Sequence, residues 1–283
     1  AATTPVSPEV AQTMVEALTK GYGNPSAQYA LGREAKALTD RARGSVAGAL
    51  GARPEQLFFT SCGTEGDNWA IRAALHQNRR VGKHIVTTAV EHSAVLQCVK
   101  QLEREGYTAD CVKPDGEGRI SAEAVLNAVR EDTALVSVML VNNETGAVFP
   151  VEEIAAGLKD RPALLHTDAV QGFLKIPFTA KGLGADYITL SAHKIGGPKG
   201  VGALYIGGRA KNTLPLLFGG GQEAGLRPGT EPVAQIAGFA RAVELRQERR
   251  EEIIAHMSAC RDYAREKLSA IPGLRFVGPA SAP

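Results

Sequence analysis

The middle of the chain alternates between short apolar runs and longer stretches with helical periodicity. Leu57–Thr60, His84–Thr88, Ala134–Val141, Ala163–Thr167, Asp186–Leu190 and Gly202–Ile206 are short, apolar and mostly rich in β-branched or aromatic residues. That pattern predicts strands. Thr64–Leu75, Ala94–Glu105, Ala122–Glu131 and Val151–Leu158 lie among them as helix candidates. Strand–helix–strand alternation predicts a largely parallel sheet covered on both faces. Near the start, Ser7 followed by Pro8 has the form of an N-cap and first helical position, opening a helix of about three turns. From Pro232 to Ala270 the pattern predicts one continuous helical stretch, charged through Arg241–Glu252, and Leu274–Val277 then reads as a new strand. A strand with no partner after a long helix suggests the beginning of a second domain.

Composition narrows this picture. Hydrophobic residues make up 44% and charged residues 22% of 283, an ordinary balance for a globular chain with a full core. The net charge of +2 gives no reason to expect direct nucleic-acid or anionic-membrane binding. No apolar run is long enough to span a bilayer, and the N-terminus lacks the basic-then-apolar form of a signal peptide. Four cysteines without CxxC pairing suggest reduced thiols and a cytoplasmic protein. The 31 glycines cluster at 196–208 and 219–229, as expected of backbone shaped around a ligand or of tight turns.

Five strand ends then deliver polar groups. Lys194, in Ser191-Ala-His-Lys194, follows an apolar run and precedes flexible glycines. This is the C-terminal edge where α/β sheets bind ligands, and burial there would favour a neutral, nucleophilic amine. For an isolated lysine, a solvated side chain in a Gly-rich turn is the plainer reading. Asp168, in His166-Thr-Asp168-Ala-Val-Gln171, ends the run before it. A cofactor with a pyridine ring needs such a carboxylate, because a protonated nitrogen makes the ring an electron sink; a loop-capping Asp is the alternative. Thr60-Ser-Cys-Gly63-Thr64-Glu leads from a strand into a helix N-terminus, a setting equally suited to an anion or to an ordinary cap. His92 could stack on a flat cofactor and move protons, or simply cap a helix. Asn142-Asn143-Glu144 forms the fifth cluster. No metal-ligand spacing such as HExxH is present, so no metal is expected.

These clusters, with Ala1-Ala-Thr-Thr-Pro5, Gly23-Asn-Pro-Ser26 and Gly219-Gly-Gly-Gln-Glu223 through Arg227-Pro-Gly-Thr230, resemble the class V aminotransferase family. More narrowly they resemble its cysteine desulfurases of the nitrogen-fixation and iron–sulfur-assembly type. The resemblance implies an α/β architecture, the large domain of the fold type I pyridoxal-phosphate (PLP) transferases, with a mostly parallel seven-stranded sheet flanked by helices. Residues 1–231 would form that domain, with Ala1–Lys20 as an N-terminal arm and helix. Residues 232–283 would be a long connecting helix and only the start of a small C-terminal domain.

The resemblance also implies roles. Lys194 would hold pyridoxal 5'-phosphate as a Schiff base, Asp168 would pair with the ring nitrogen, and Gln171 would bond the phenolic oxygen. His92 would stack on the ring and assist proton transfer. Gly63, Thr64, Ser191 and His193 would hold the phosphate, Asn143 would lie near the substrate and the cofactor's ring oxygen, and Thr230 would reach the neighbouring subunit's phosphate in a homodimer. The expected reaction takes sulfur from L-cysteine, leaving L-alanine and an enzyme persulfide for a sulfur-acceptor protein in iron–sulfur assembly or tRNA thiolation. One departure stands out. The family's catalytic loop cysteine and carboxylate-binding arginine belong to a C-terminal part, and Cys62, Cys98, Cys111 and Cys260 match no such motif. The chain is therefore expected to be a truncated form, inactive alone. Rival readings are another class V activity, an aminotransferase or selenocysteine lyase, and a non-catalytic PLP-binding dimerisation module.

Overall fold

A computed structural model of the protein describes residues 2–278. Seven strands form one sheet: β1 (Leu57–Thr60), β2 (His84–Thr88), β3 (Thr108–Val112), β4 (Thr133–Ser137), β5 (Leu164–Asp168), β6 (Tyr187–Ser191) and β7 (Gly202–Ile206). Their order across the sheet is β1-β7-β6-β5-β4-β2-β3. β7 alone runs against its neighbours. The reason is chain length: residues 192–201 are too few for the crossover of a dozen or more that parallel strands require. Lys194 lies inside this tight reversal, at the C-terminal end of β6.

The helices are α1 (Pro8–Thr19), α2 (Ala30–Ala49), α3 (Gly63–Gln77), α4 (Ser93–Arg104), α5 (Ala122–Asn127), α6 (Val151–Gly157), α7 (Ala180–Leu183), α8 (Val233–Glu248) and α9 (Arg250–Leu268). β1, β2, β4, β5, β6 and β7 are buried at every residue, as befits a sheet covered on both sides. Side-chain alternation divides the core in two. Leu164 and Tyr187 pack with Trp69, Val95 and Leu102 from α3 and α4. Leu165 and Ile188 face the other way, with Val46, Ile154, Phe239 and Val243 from α2, α6 and α8. His166 and Asp168 share the parity of Leu164, so both point toward α3. Gly66 brings that helix close: a Cβ there would stand 2.8 Å from Thr189 Cγ2.

Local signals explain several boundaries. The Ser7 hydroxyl accepts from Val10 N at 3.3 Å and Pro8 takes the first helical position, as expected for α1. Other expectations need correction. α2 is a 20-residue helix that the strand–helix reading passed over. β3 is an edge strand with mixed exposure, so its weak apolar signal hid it. The Ala122–Glu131 helix stops at Asn127, and the Ala134–Val141 run is strand only to Ser137, after which Val141 makes an isolated bridge to Val148. The continuous helix from Pro232 breaks at Arg249, where the packed face of α8 ends; nine residues of α8 are buried and none of α9. Leu274–Val277 is exposed and forms no strand, with no strand beside it among the described residues. No described helix is long and apolar enough to cross a membrane.

Candidate active site

A cavity of about 440 Å³ opens at the C-terminal edge of β5 and β6. Gly63, Thr64, His92, Asn143, Asp168, Gln171, Ser191, His193 and Lys194 all line it. Thr230 does not; it is exposed, in the segment following Gly229. Ala2, Cys62, Asp67, Met139, Glu144 and Val170 complete the walls.

At one end, α3 begins without a side-chain cap: its N-cap residue is Cys62, which makes no capping bond. The N–H groups of a first helical turn have no partner within the helix, so here they remain available to an anion, favoured by the helix dipole. Gly63 keeps this approach open, since a Cβ would come within 3.0 Å of Val170 Cγ2. Glu65, in the same turn, does not spoil the site, because Arg227 pairs with it at 2.9 Å and it accepts from Ser61 N at 2.9 Å. That pair also ties the 219–229 loop to α3. A second tie is the bidentate Arg43–Glu223 pair (2.6 and 2.7 Å), with Glu223 also accepting from Phe59 N; Glu223 has a left-handed φ of 49°.

Lys194 sits in a single 3-10 turn, half-buried. Desolvation lowers its pKa, while the Asp168 charge opposes the shift. Its Nζ donates to Ala2 O at 2.7 Å. The N-terminal arm is stitched across this turn: Thr4 N and Oγ1 donate to His193 O at 3.0 and 2.8 Å, and Gly196 N donates to Thr4 Oγ1 at 2.8 Å. Gly196, at φ 91°, supplies the left-handed residue that the reversal requires.

The opposite end is acidic and buried. Asp168 is 6% exposed and accepts from Val170 N at 2.9 Å. Burial raises its pKa to about 7, with Asp67 adding to the rise and the Val170 N–H, His166 and His92 opposing it. Asp67, 1% exposed, is also raised to about 7 by burial. Behind them Glu91 accepts from Thr88 Oγ1 at 2.7 Å and Met139 N at 3.0 Å, and burial raises it to about 8. Fully buried His166 is pushed down to about 4 and is neutral at pH 7. His92 caps α4, its Nδ1 accepting from Ala94 N at 3.2 Å, and it also lines the cavity. Gln171 Oε1 accepts from Lys175 Nζ at 2.7 Å, and Asn143 Nδ2 donates to Glu144 Oε1 at 2.6 Å.

Asp67 and Glu91 have no role in the sequence-based expectations above. Asp67 carries a readable signal, a charge one turn past Gly63 on a helix otherwise turning apolar at Trp69-Ala-Ile71. Glu91 has none, because its burial depends on the β4 loop folding over it.

The arrangement offers an amine, a buried pair of acids and an uncapped helix end around one cavity. Comparisons with known proteins identify the family. The family described as Aminotransferase class-V matches residues 1–283. A cysteine desulfurase of Trichormus azollae is 46% identical over 269 residues, covering 95% of this chain and 67% of that protein. Among solved structures, a NifS-like protein superposes with a TM-score of 0.94 at 40% identity, covering 99% of this chain and 77% of the other. SspA in complex with cysteine gives a TM-score of 0.82 at 37% identity, covering 86% of this chain and 70% of the other. The chain thus spans about two thirds of its curated relative's length, and over all of its own it belongs to the class-V aminotransferase family, on the cysteine desulfurase branch.

Proposed function

We propose that this chain is the cofactor-binding part of a PLP-dependent cysteine desulfurase, which removes sulfur from L-cysteine to leave L-alanine and a persulfide. The observation that carries the reading is the shared cavity of Lys194 and Asp168, with the uncapped start of α3 at one end. The donor set fits a flat aldehyde with a basic ring nitrogen and a phosphate tail. When bound, PLP supplies an electron sink for charge developing at the substrate's α-carbon.

The chain's own residues have distinct tasks. Lys194, partly desolvated, is more readily neutral than a surface lysine; it captures the aldehyde and exchanges protons at its Nζ. Asp168 keeps the ring nitrogen protonated. Thr64, Ser191 and His193, with the Gly63 N–H, hold the phosphate; Gln171 bonds the phenolic oxygen. His92 flanks the ring and shuttles a proton, and Asn143 lies on the substrate side.

Cys62 lines the cavity at the α3 start, Cys98 is buried, and Cys111 and Cys260 are exposed elsewhere. Cys62 shares the cavity with Lys194 but lies at the α3 start, beside the proposed phosphate position, so we infer that none of the four is the sulfur-accepting thiol. We infer that α9, which buries nothing, leads into a second domain, and that residues 1–231 with α8 form the first. A homodimer is inferred from the exposed Thr230 and from Leu217 and Phe218, 56% and 85% exposed on the preceding loop. The sulfur acceptor would be a protein of iron–sulfur assembly or tRNA thiolation, and the setting cytoplasmic.

The test is to mix the PLP-loaded protein with L-cysteine. A change in visible absorbance without sustained sulfide release under reductant is expected. No spectral response would overturn the substrate assignment, and sustained sulfide release would overturn the placement of the thiol.

A further inference from the structure

Asp67 lies on α3 four residues past Gly63, so one helical turn carries it along the same face from the helix start toward the sheet. Its side chain is 1% exposed, yet it lines the cavity. Its Oδ1 is buried with no hydrogen-bond partner among the described residues. His166 Nε2 stands 3.5 Å away but lies nearer, at 3.0 Å, to Thr189 Oγ1. A carboxylate oxygen left unmatched in a core is costly, and natural folds keep few.

The surroundings of Asp67 are built. Ser137 pairs with His166 in register, and Asp168 with Thr189. Ser137 Oγ and His166 Nδ1 are 2.8 Å apart. Thr189 also bonds Asp67 and lowers its pKa against the effect of burial; a Thr189 hydroxyl that donates there accepts from His166 Nε2–H, and the Ser137 hydroxyl then donates to Nδ1. At the cavity end of this line, ligand-type atoms of Asp67, His92 and Asp168 all lie within 4.8 Å of one another. Glu91 and Lys194 are the other titratable groups near the pair.

We propose that Asp67 is a second acidic positioning residue for the ring-nitrogen end of the cofactor, joining Asp168 in a two-carboxylate wall that selects a ring bearing a protonated nitrogen. The inference rests on the PLP reading above. Two buried acids this close share a proton at neutral pH when no cation is beside them. A ring N–H⁺ beside the pair supplies that positive charge.

The test is a binding comparison that needs no turnover. Apoprotein is titrated by equilibrium dialysis with PLP and with its deaza analogue, which carries C–H in place of the ring nitrogen. Both retain aldehyde and phosphate, so contributions of Lys194 and the α3 start cancel in the ratio of dissociation constants. Asp67→Asn, close in shape, is expected to cut the preference for PLP about fivefold or more, and Asp67→Ser to do the same should the first variant fold poorly. An unchanged preference in a folded variant, whatever happens to the absolute affinities, overturns the proposal. If wild-type protein binds PLP without visible absorbance arising at Lys194, the underlying PLP reading fails instead, and the two failures are distinguishable.

Discussion

Lys194 follows β6 and Asp168 ends the adjacent β5, and both line one cavity, yet their settings are opposite. Lys194 rides on a single 3-10 turn, half-buried, beneath an N-terminal arm held by a few hydrogen bonds. Asp168 closes a fully buried strand, with Asp67 and Glu91 packed near it and burial raising the pKa of all three. Covalent capture of a cofactor and exchange with a substrate require access, and the lysine has it. Holding a ring charge requires a low local dielectric, where a charge pair is worth far more than in water. The acidic end meets that need by burying carboxyls that would be better solvated, so the site works against the stability of the apoprotein.

Changing each end should separate these costs. Lys194→Ala is expected to abolish the visible absorbance of the PLP-loaded protein while leaving its melting temperature nearly unchanged, checked by spectroscopy and calorimetry. Equal colour in the variant would remove the lysine from its role. Asp168→Ala should weaken PLP binding about a hundredfold, the worth of a charge-assisted bond in a dry site. Its apoprotein should nevertheless melt higher than wild type above pH 7. A variant that lost both affinity and apo stability would mean that Asp168 is structural.

The pH dependence gives a smaller effect. Asp67, Asp168 and Glu91 bind protons more tightly folded than unfolded, so their contribution to stability falls as pH rises through about 7 to 8. His166, depressed to about 4, acts the other way only below its unfolded value of about 6.5. Between roughly pH 6.5 and 8, apoprotein stability should therefore drop by on the order of 1 kcal/mol per carboxyl. Denaturant unfolding across that window checks this, and saturating PLP should flatten the slope. The smallest change is Glu91→Gln, which keeps the oxygen used by Thr88 and Met139. It should raise stability at pH 8 by about 1 kcal/mol and leave PLP affinity within twofold.

The same contrast explains what could be read from residues alone. Strand ends are legible because the fully buried strands are mostly apolar, so the polar residues at their C-terminal edges stand out. That placed Lys194, Asp168 and His92 together before any coordinates. Elements whose character comes from packing were not legible. β3 is an exposed edge strand with little apolar signal. The break at Arg249 depends on where the contact surface of α8 ends. Asp67 and Glu91 gained their roles only when the register of β4, β5 and β6 and the close approach of α3 enclosed them. Composition and spacing report what a residue is, whereas enclosure decides what its charge costs.

The account turns on which amine takes the cofactor, and the chain offers a real competitor. Lys175 is largely buried beside Gln171, and burial lowers its pKa to about 8, so it too is partly neutral near physiological pH. Borohydride reduction of PLP-loaded protein, followed by peptide mapping, would fix the cofactor to the lysine that holds it. The account predicts the phosphopyridoxyl mass on Lys194 alone; the label on Lys175, or spread over surface lysines with Lys194 unmodified, would contradict it.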